Sequence, residues 1–149
     1  MEDSIEPPVW DLSPLVESHD SENVKRLMDD SLKQTEVFER KYKGRIKELI
    51  PADIHVLHKE LDSILTSWMH IFRYAFLRQS QDGEDRIAND LRAYSMKIDT
   101  EIKSKIIFFD IEISRTLVDR PDIVQHPDVE EYRHALEKAT ERGKYLLSE

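Results

Sequence analysis

The sequence contains no cysteine and only three glycines, and these shortages exclude several classes of site. Without cysteine the chain can form neither disulfides nor thiolate metal sites, and it has no thiol nucleophile. Gly44, Gly83 and Gly143 are too far apart to form the glycine-rich loop that cradles phosphate groups. The lack of cysteine is typical of a reducing compartment, and we expect a cytoplasmic protein.

Basic residues and long apolar runs are also scarce. The chain has 22 lysines and arginines against 31 acidic residues, which gives a formal net charge of −9. Nucleic acids and anionic membranes are both bound chiefly through clustered basic residues, so we expect neither as a partner. Residues 1–4 are acidic with no apolar run behind them, unlike a secretory signal. No stretch approaches the roughly 18 apolar residues of a membrane span.

Apolar residues recur at three- and four-residue steps along most of the chain, a spacing that predicts helices. Three long patterns and one shorter pattern follow in order, over residues 24–49, 54–76, 87–117 and 129–146. Asp20 is a candidate N-cap for the first helix, and Pro51 ends that helix or opens the next. Asp82 is a candidate cap for the third helix.

These patterns predict an all-α fold. The long helices would each measure roughly 40–50 Å, and long helices joined by short links must run antiparallel. We therefore predict a bundle of three long antiparallel helices plus a shorter C-terminal helix, forming a single domain over residues 21–149. Pro7, Pro8 and Pro14 predict an extended N-terminal arm over residues 1–20.

One histidine pair has a spacing that invites a metal-site interpretation. His55 and His58 are three residues apart and would share a helix face. The zinc-peptidase signature His-Glu-x-x-His instead needs ligands four residues apart and a glutamate base between them. Here Val56 and Lys59 occupy the base position and the second ligand position. We therefore predict no metal ligand and no catalytic residue in this chain.

Two other sets of polar residues are interpreted as solvent-exposed surface and not as a functional site. The basic run at residues 41–47 is diluted by acidic neighbours, and alternate residues on a helix point in different directions. Asp110 and Glu112 lie among apolar residues, and we interpret them as a polar face that interrupts a hydrophobic one.

Two groups of residues predict contact surfaces. Tyr74 falls off the main apolar stripe of the second pattern and lies near Arg78. Because exposed aromatic residues beside arginine mark contact surfaces, this pair is a candidate for facing a cleft; the alternative is an ordinary surface position. Ile107, Phe108 and Ile111 form a second apolar strip late in the third pattern, which predicts either contact with a second helix or an exposed docking surface.

Five motifs occur along the chain in an order that resembles one known family. They are Trp-Asp-Leu-Ser-Pro-Leu at 10–15, Phe-Glu-Arg-Lys-Tyr-Lys-Gly-Arg-Ile at 38–46, Tyr-Ala-Phe-Leu-Arg at 74–78 followed by Asp82, Phe-Phe-Asp-Ile-Glu at 108–112, and Tyr-Arg-His-Ala-Leu-Glu at 132–137 followed by Leu-Leu-Ser-Glu at 146–149. Together they resemble the N-terminal helical region of oligoendopeptidase F-type zinc metallopeptidases, relatives of thimet oligopeptidase.

This resemblance implies a non-catalytic N-terminal lobe that helps to wall a channel for short oligopeptides. In the full-length family the zinc ligands lie far downstream on a His-Glu-x-x-His helix, with a further glutamate beyond it. No residue here matches that motif, so the resemblance implies no cofactor in this chain and a missing C-terminal catalytic domain as its partner. It also implies that Gly44 lies inside a helix, where close packing would explain it.

A second hypothesis comes from a different class of protein. The chain could be a stand-alone helical interaction or regulatory module that has lost the peptidase domain. If the chain is instead a severed lobe, it should bare apolar surface where the missing domain docked, with Ile107, Phe108 and Ile111 as the candidate strip, and such surface predicts self-association.

Overall fold

A computed structural model describes residues 9–146, which form helices joined by short links and contain no strand. The helices are α1 (Ser21–Tyr42), α2 (Pro51–Gln81), α3 (Arg86–Asp119), α4 (Asp122–Gln125) and α5 (Arg133–Leu146), with 3₁₀ turns at Ile46–Glu48 and Pro127–Tyr132. The prediction of an all-α fold with three long helices and a shorter final one is confirmed. None of these helices is both long and apolar enough to cross a membrane.

Contacts near both ends of the pair show that α1 and α2 run antiparallel. The Lys41 ammonium, at the end of α1, lies 2.7 Å from the Glu60 carboxylate in the first part of α2. At the opposite end, Arg78 of α2 donates a hydrogen bond of 3.2 Å to the carbonyl of His19, just before α1. The C-terminal part of each helix therefore lies beside the N-terminal part of the other.

Helices α2 and α3 are also antiparallel. The indole N–H of Trp68 in the middle of α2 donates a 3.0 Å hydrogen bond to Asp99 of α3. The guanidinium of Arg120, which follows the end of α3, donates a 2.7 Å hydrogen bond to the carbonyl of Leu49, which precedes α2. Helix α3 packs against α1, α2 and α5, as its two apolar sides predict.

Local chemistry sets the starts of the long helices. The Asp20 carboxylate accepts an amide hydrogen bond in the first turn of α1, and Pro51 occupies the first turn of α2. The prediction that Asp82 caps the third helix is wrong. Asp85 caps it, and its carboxylate accepts hydrogen bonds from the amides of Ile87 and Ala88.

The first helix ends earlier than its apolar pattern suggests. It stops at Tyr42, and Gly44 follows with a φ of +78°, the left-handed conformation that commonly ends a helix. A Cβ at Gly44 would meet open space, so the expectation that Gly44 lies inside a helix against a close neighbour is wrong. The amide of Gly44 instead donates to the Glu112 carboxylate of α3, at 2.8 Å to Oε1 and 3.0 Å to Oε2. Ile46 then enters the core from a 3₁₀ turn.

The buried residues form two clusters along the bundle. The first lies where the end of α1, the start of α2 and the end of α3 meet α4 and α5, and its aromatic members are Phe38, Tyr42, Phe108 and Phe109. The second lies between the remaining halves of the long helices. Leu12 and Val16, from the irregular residues 9–20, are buried in it. Residues 1–8 of the predicted arm, and residues 147–149 of the last resembling motif, lie outside the described residues.

A glycine sets the approach of α5 to α3. An added Cβ at Gly143 would lie 2.4 Å from the carbonyl oxygen of Ser114 and 2.8 Å from Cγ2 of Val118. Those distances are shorter than real Cβ contacts, so any larger residue would force the two helices apart. The glycine that allows close packing between helices is therefore Gly143, and not Gly44 as the sequence suggested.

We predict that Gly143→Ala lowers the free energy of unfolding by about 1–3 kcal/mol, because overpacking outweighs the better helix propensity of alanine. Urea denaturation followed by circular dichroism measures the change. Gly83→Ala is the matched control: a Cβ there meets open space, and we expect a change within about 0.5 kcal/mol. A Gly143→Ala variant as stable as the unmodified chain would contradict the close approach of α5.

Candidate functional site

The predicted cleft residues Tyr74 and Arg78 lie together at the end of α2. They line a cleft of about 370 Å³ whose other wall includes Trp10, Leu12 and His19. Tyr74 has no exposed surface, so the prediction that it lies off the buried stripe is wrong. Its ring meets the His19 ring edge-on, with 5.1 Å between the centroids.

The polar groups of this cleft are occupied by contacts within the protein. Arg78 donates 3.3 Å to the Tyr74 hydroxyl and 3.5 Å to the Asp85 carboxylate, besides its bond to the carbonyl before α1. Gln81 donates a 2.9 Å hydrogen bond to the carbonyl of Trp10. These contacts hold residues 9–20 against the end of α2, so the polar groups of the cleft stabilise the fold.

The predicted docking strip is not a continuous surface. Phe108 is buried, and its ring lies 6.0 Å from that of Phe38. Ile111 is half-buried, whereas Ile107 is 59% exposed. Successive residues on a helix point in different directions, so part of the strip faces α1. The docking surface is therefore corrected to Ile107 alone, and self-association through it stays a prediction.

The histidine pair takes part in an aromatic stack. His58 is buried between the Tyr132 ring, stacked with 4.8 Å between centroids, and the Phe109 ring, which it meets edge-on at 5.1 Å. Its Nε2 has no hydrogen-bond partner among the described residues. Nε2 of His55 lies 3.7 Å from the Glu131 carboxylate. Within residues 9–146, no three His, Asp or Glu side chains are placed to hold a metal ion together.

Burial changes the acid–base chemistry of this stack. Desolvation lowers the pKa of His58, with a small further lowering by nearby His55, while the Asp62 carboxylate opposes both. Burial also raises the pKa of Tyr132 to about 12, and the charge of Asp62 adds to that rise. Both rings are therefore held in their neutral forms near pH 7. A cavity of about 270 Å³, bordered by Asp110 among others, lies beside His58 between α2, α3 and α5.

One concave surface of the described residues was not anticipated from the sequence. A groove of about 670 Å³ runs between α1 and α2, and it is lined by Lys33, Gln34, Val37, Val56, Lys59, Glu60, Ser63 and Ile64. Val37 is 50% exposed and Val56 is 52% exposed, one on each wall. The sequence does contain one indication of this groove: Val37 and Val56 both fall outside the apolar stripes of their helices.

Comparison with known proteins identifies no relative. No protein-family model matches the chain, no curated protein matches it, and no solved structure matches it. Function is therefore inferred from the residues described above and from the order of the resembling motifs.

We predict that replacing His58 changes how stability depends on pH. The pKa of His58 is lowered in the folded chain, so the unfolded chain binds more protons as the pH falls below about 6.5. Above about pH 6.5, the full contribution of the neutral His58 imidazole to the stability of the fold is present. It is lost as the pH falls toward the lower folded pKa, by at most about 1.4 kcal/mol per pH unit.

His58→Phe keeps an aromatic ring between Tyr132 and Phe109 but cannot bind the proton. We expect the free energy of unfolding of this variant, measured by urea denaturation, to fall less steeply with acidification below about pH 6.5. His70→Phe is the control, because His70 lies exposed on the same helix. Equal pH slopes in the unmodified chain and the His58 variant would contradict the assignment.

Proposed function

We propose that this chain is the N-terminal, non-catalytic helical lobe of an oligoendopeptidase F-like zinc metallopeptidase. One observation supports the proposal: motifs that resemble the family are far apart in the sequence, yet they contribute residues to the same two buried clusters. Residues that pack together constrain which amino acids each position accepts. A sequence resemblance concentrated in residues of the same core therefore favours a shared fold.

The motifs at 38–46 and 108–112 contact each other directly. The Phe38 and Phe109 rings lie 6.4 Å apart between centroids, and both belong to the same buried cluster. At the end of the first motif, Gly44 donates its amide to the carboxylate of Glu112, the last residue of the second. The Tyr-x-Gly and Phe-Phe-x-x-Glu patterns are thus two sides of one helix junction.

The other motifs also contribute residues to shared buried clusters. Leu12, from the motif at 10–15, is buried in the same cluster as Tyr74, from the motif at 74–78. Leu136, from the motif at 132–137, is buried in the same cluster as Phe109. The resemblance therefore follows the packing of both core clusters, which supports a common fold over chance similarity at separate surface positions.

The proposed lobe would help to shape the peptide channel and would supply no catalytic group. In the resembling family, the zinc ligands lie on a downstream His-Glu-x-x-His helix that this chain does not match. The residues described here do not fit that metal: His58 is enclosed by aromatic rings, and His55 pairs with Glu131. What the chain offers is a set of long, closely packed helices. Such helices suit the wall of a channel that admits only short peptides.

The alternative, a stand-alone helical interaction module, is favoured by a different observation. The groove between α1 and α2 exposes apolar side chains on both walls, and exposed apolar patches mark contact sites. The two proposals differ in what the gene encodes after Glu149. An open frame encoding His-Glu-x-x-His favours the peptidase lobe, and an immediate stop codon favours the module.

We predict that the purified 149-residue chain contains no stoichiometric zinc by elemental analysis and does not cleave fluorogenic oligopeptides. The product of an extended reading frame should contain one zinc and cleave them. Stoichiometric zinc in the short chain, lost on substitution of His55 or His58, would overturn the proposal. His134→Ala serves as the control for removal of an exposed imidazole.

A further inference from the structure

The groove between α1 and α2 has an apolar centre built from both helices. Val37 of α1 and Val56 of α2 are each about half exposed, and Ile64 of α2, which also lines the groove, is buried. Apolar surface of this kind gains free energy when a partner removes it from water. The α2 wall from residue 56 to residue 64 measures about 12 Å, which corresponds to roughly two turns of a helix.

The charges around this centre are unbalanced. The Glu60 carboxylate is already occupied, since the Lys41 ammonium and the Tyr42 hydroxyl both lie 2.7 Å from its Oε2. Lys33 on α1 and Lys59 on α2 line the groove, and neither has a hydrogen-bond or ion-pair partner among the described residues. The groove is thus a locally positive place in a chain whose formal net charge is −9.

The shape favours a helix over an extended segment. Within residues 9–146 there is no strand edge to which a peptide could add by backbone pairing. Two antiparallel helices instead present ridges and grooves of side chains, and a third helix packs into such a surface. Helix α3 covers another side of the α1 and α2 pair, so an added helix would complete the free side.

We propose that this groove binds an amphipathic helix from a partner protein. Its apolar side chains would pack on Val37, Val56 and Ile64, and its carboxylates would pair with Lys33 and Lys59. The apolar strip of such a helix recurs at three- and four-residue steps, with glutamate or aspartate beside it. The proposal rests on the groove alone and does not depend on the relation to peptidases.

The test uses a fluorescein-labelled synthetic peptide of about 15 residues, with leucines on one face and glutamates flanking them. A matched peptide carries lysines in place of the glutamates. Fluorescence anisotropy against the purified chain measures both affinities. We expect the glutamate peptide to bind about tenfold more tightly than the lysine peptide, and this preference should shrink as salt is added.

Variants of the chain locate the binding site. Val37→Asp and Val56→Asp should each abolish binding of the glutamate peptide, because a carboxylate would enter the apolar centre. The double variant Lys33→Glu, Lys59→Glu should reverse the preference and favour the lysine peptide. Ile107→Asp is the control, since Ile107 is an apolar residue of α3 that is also at least half exposed and lies outside the groove. Circular dichroism melts verify that every variant is folded.

Three results would overturn the proposal. The first is equal affinity of the unmodified chain for both peptides, or no binding of either. The second is loss of binding in Ile107→Asp but not in Val37→Asp or Val56→Asp. The third is tight binding of sodium oleate without binding of the glutamate peptide, which would make the groove a site for small amphiphiles.

Discussion

The junction between the end of α1 and the C-terminal part of α3 is the constraint on which the rest of the structure depends. Gly44 takes a left-handed conformation that stops α1, and both oxygens of Glu112 accept its amide hydrogen. Beneath this bond the Phe38 ring packs near Phe108 and Phe109. If α1 continued past Gly44, the chain could not turn to bury Ile46 and begin α2 in the opposite direction.

The surfaces available for function follow from that junction. Because α1 stops and α2 returns beside it, the two helices enclose a groove on the side that leaves Val37 and Val56 exposed. The last helix packs on α3, where Gly143 permits a close approach.

The helical fold could be predicted from the sequence because its signal is the spacing of apolar residues, which a single chain displays. The end of α1 could not, since the apolar spacing runs on through residue 49 and only the conformation of Gly44 breaks it. Tyr74 was misplaced because which side a helix buries depends on neighbours distant in sequence, and for the same reason the spacing alone left open whether Phe108 meets a second helix or solvent. Glu112 was interpreted as a solvated carboxylate, since its partner is a backbone amide that no side-chain pattern reveals. The groove was missed for the related reason that it needs two helices.

The most direct measurement is the hydrogen-exchange rate of the Gly44 amide, followed by NMR in the unmodified chain and in Glu112→Ala. Gly44 is exposed, so its amide should be protected only if the Glu112 carboxylate accepts its hydrogen. We expect exchange to become about tenfold faster in Glu112→Ala, equivalent to a bond of about 1.4 kcal/mol. The rate should be unchanged in the control Glu137→Ala, an exposed position on α5. An unprotected Gly44 amide in the unmodified chain, or the same rate in both variants, would contradict the junction.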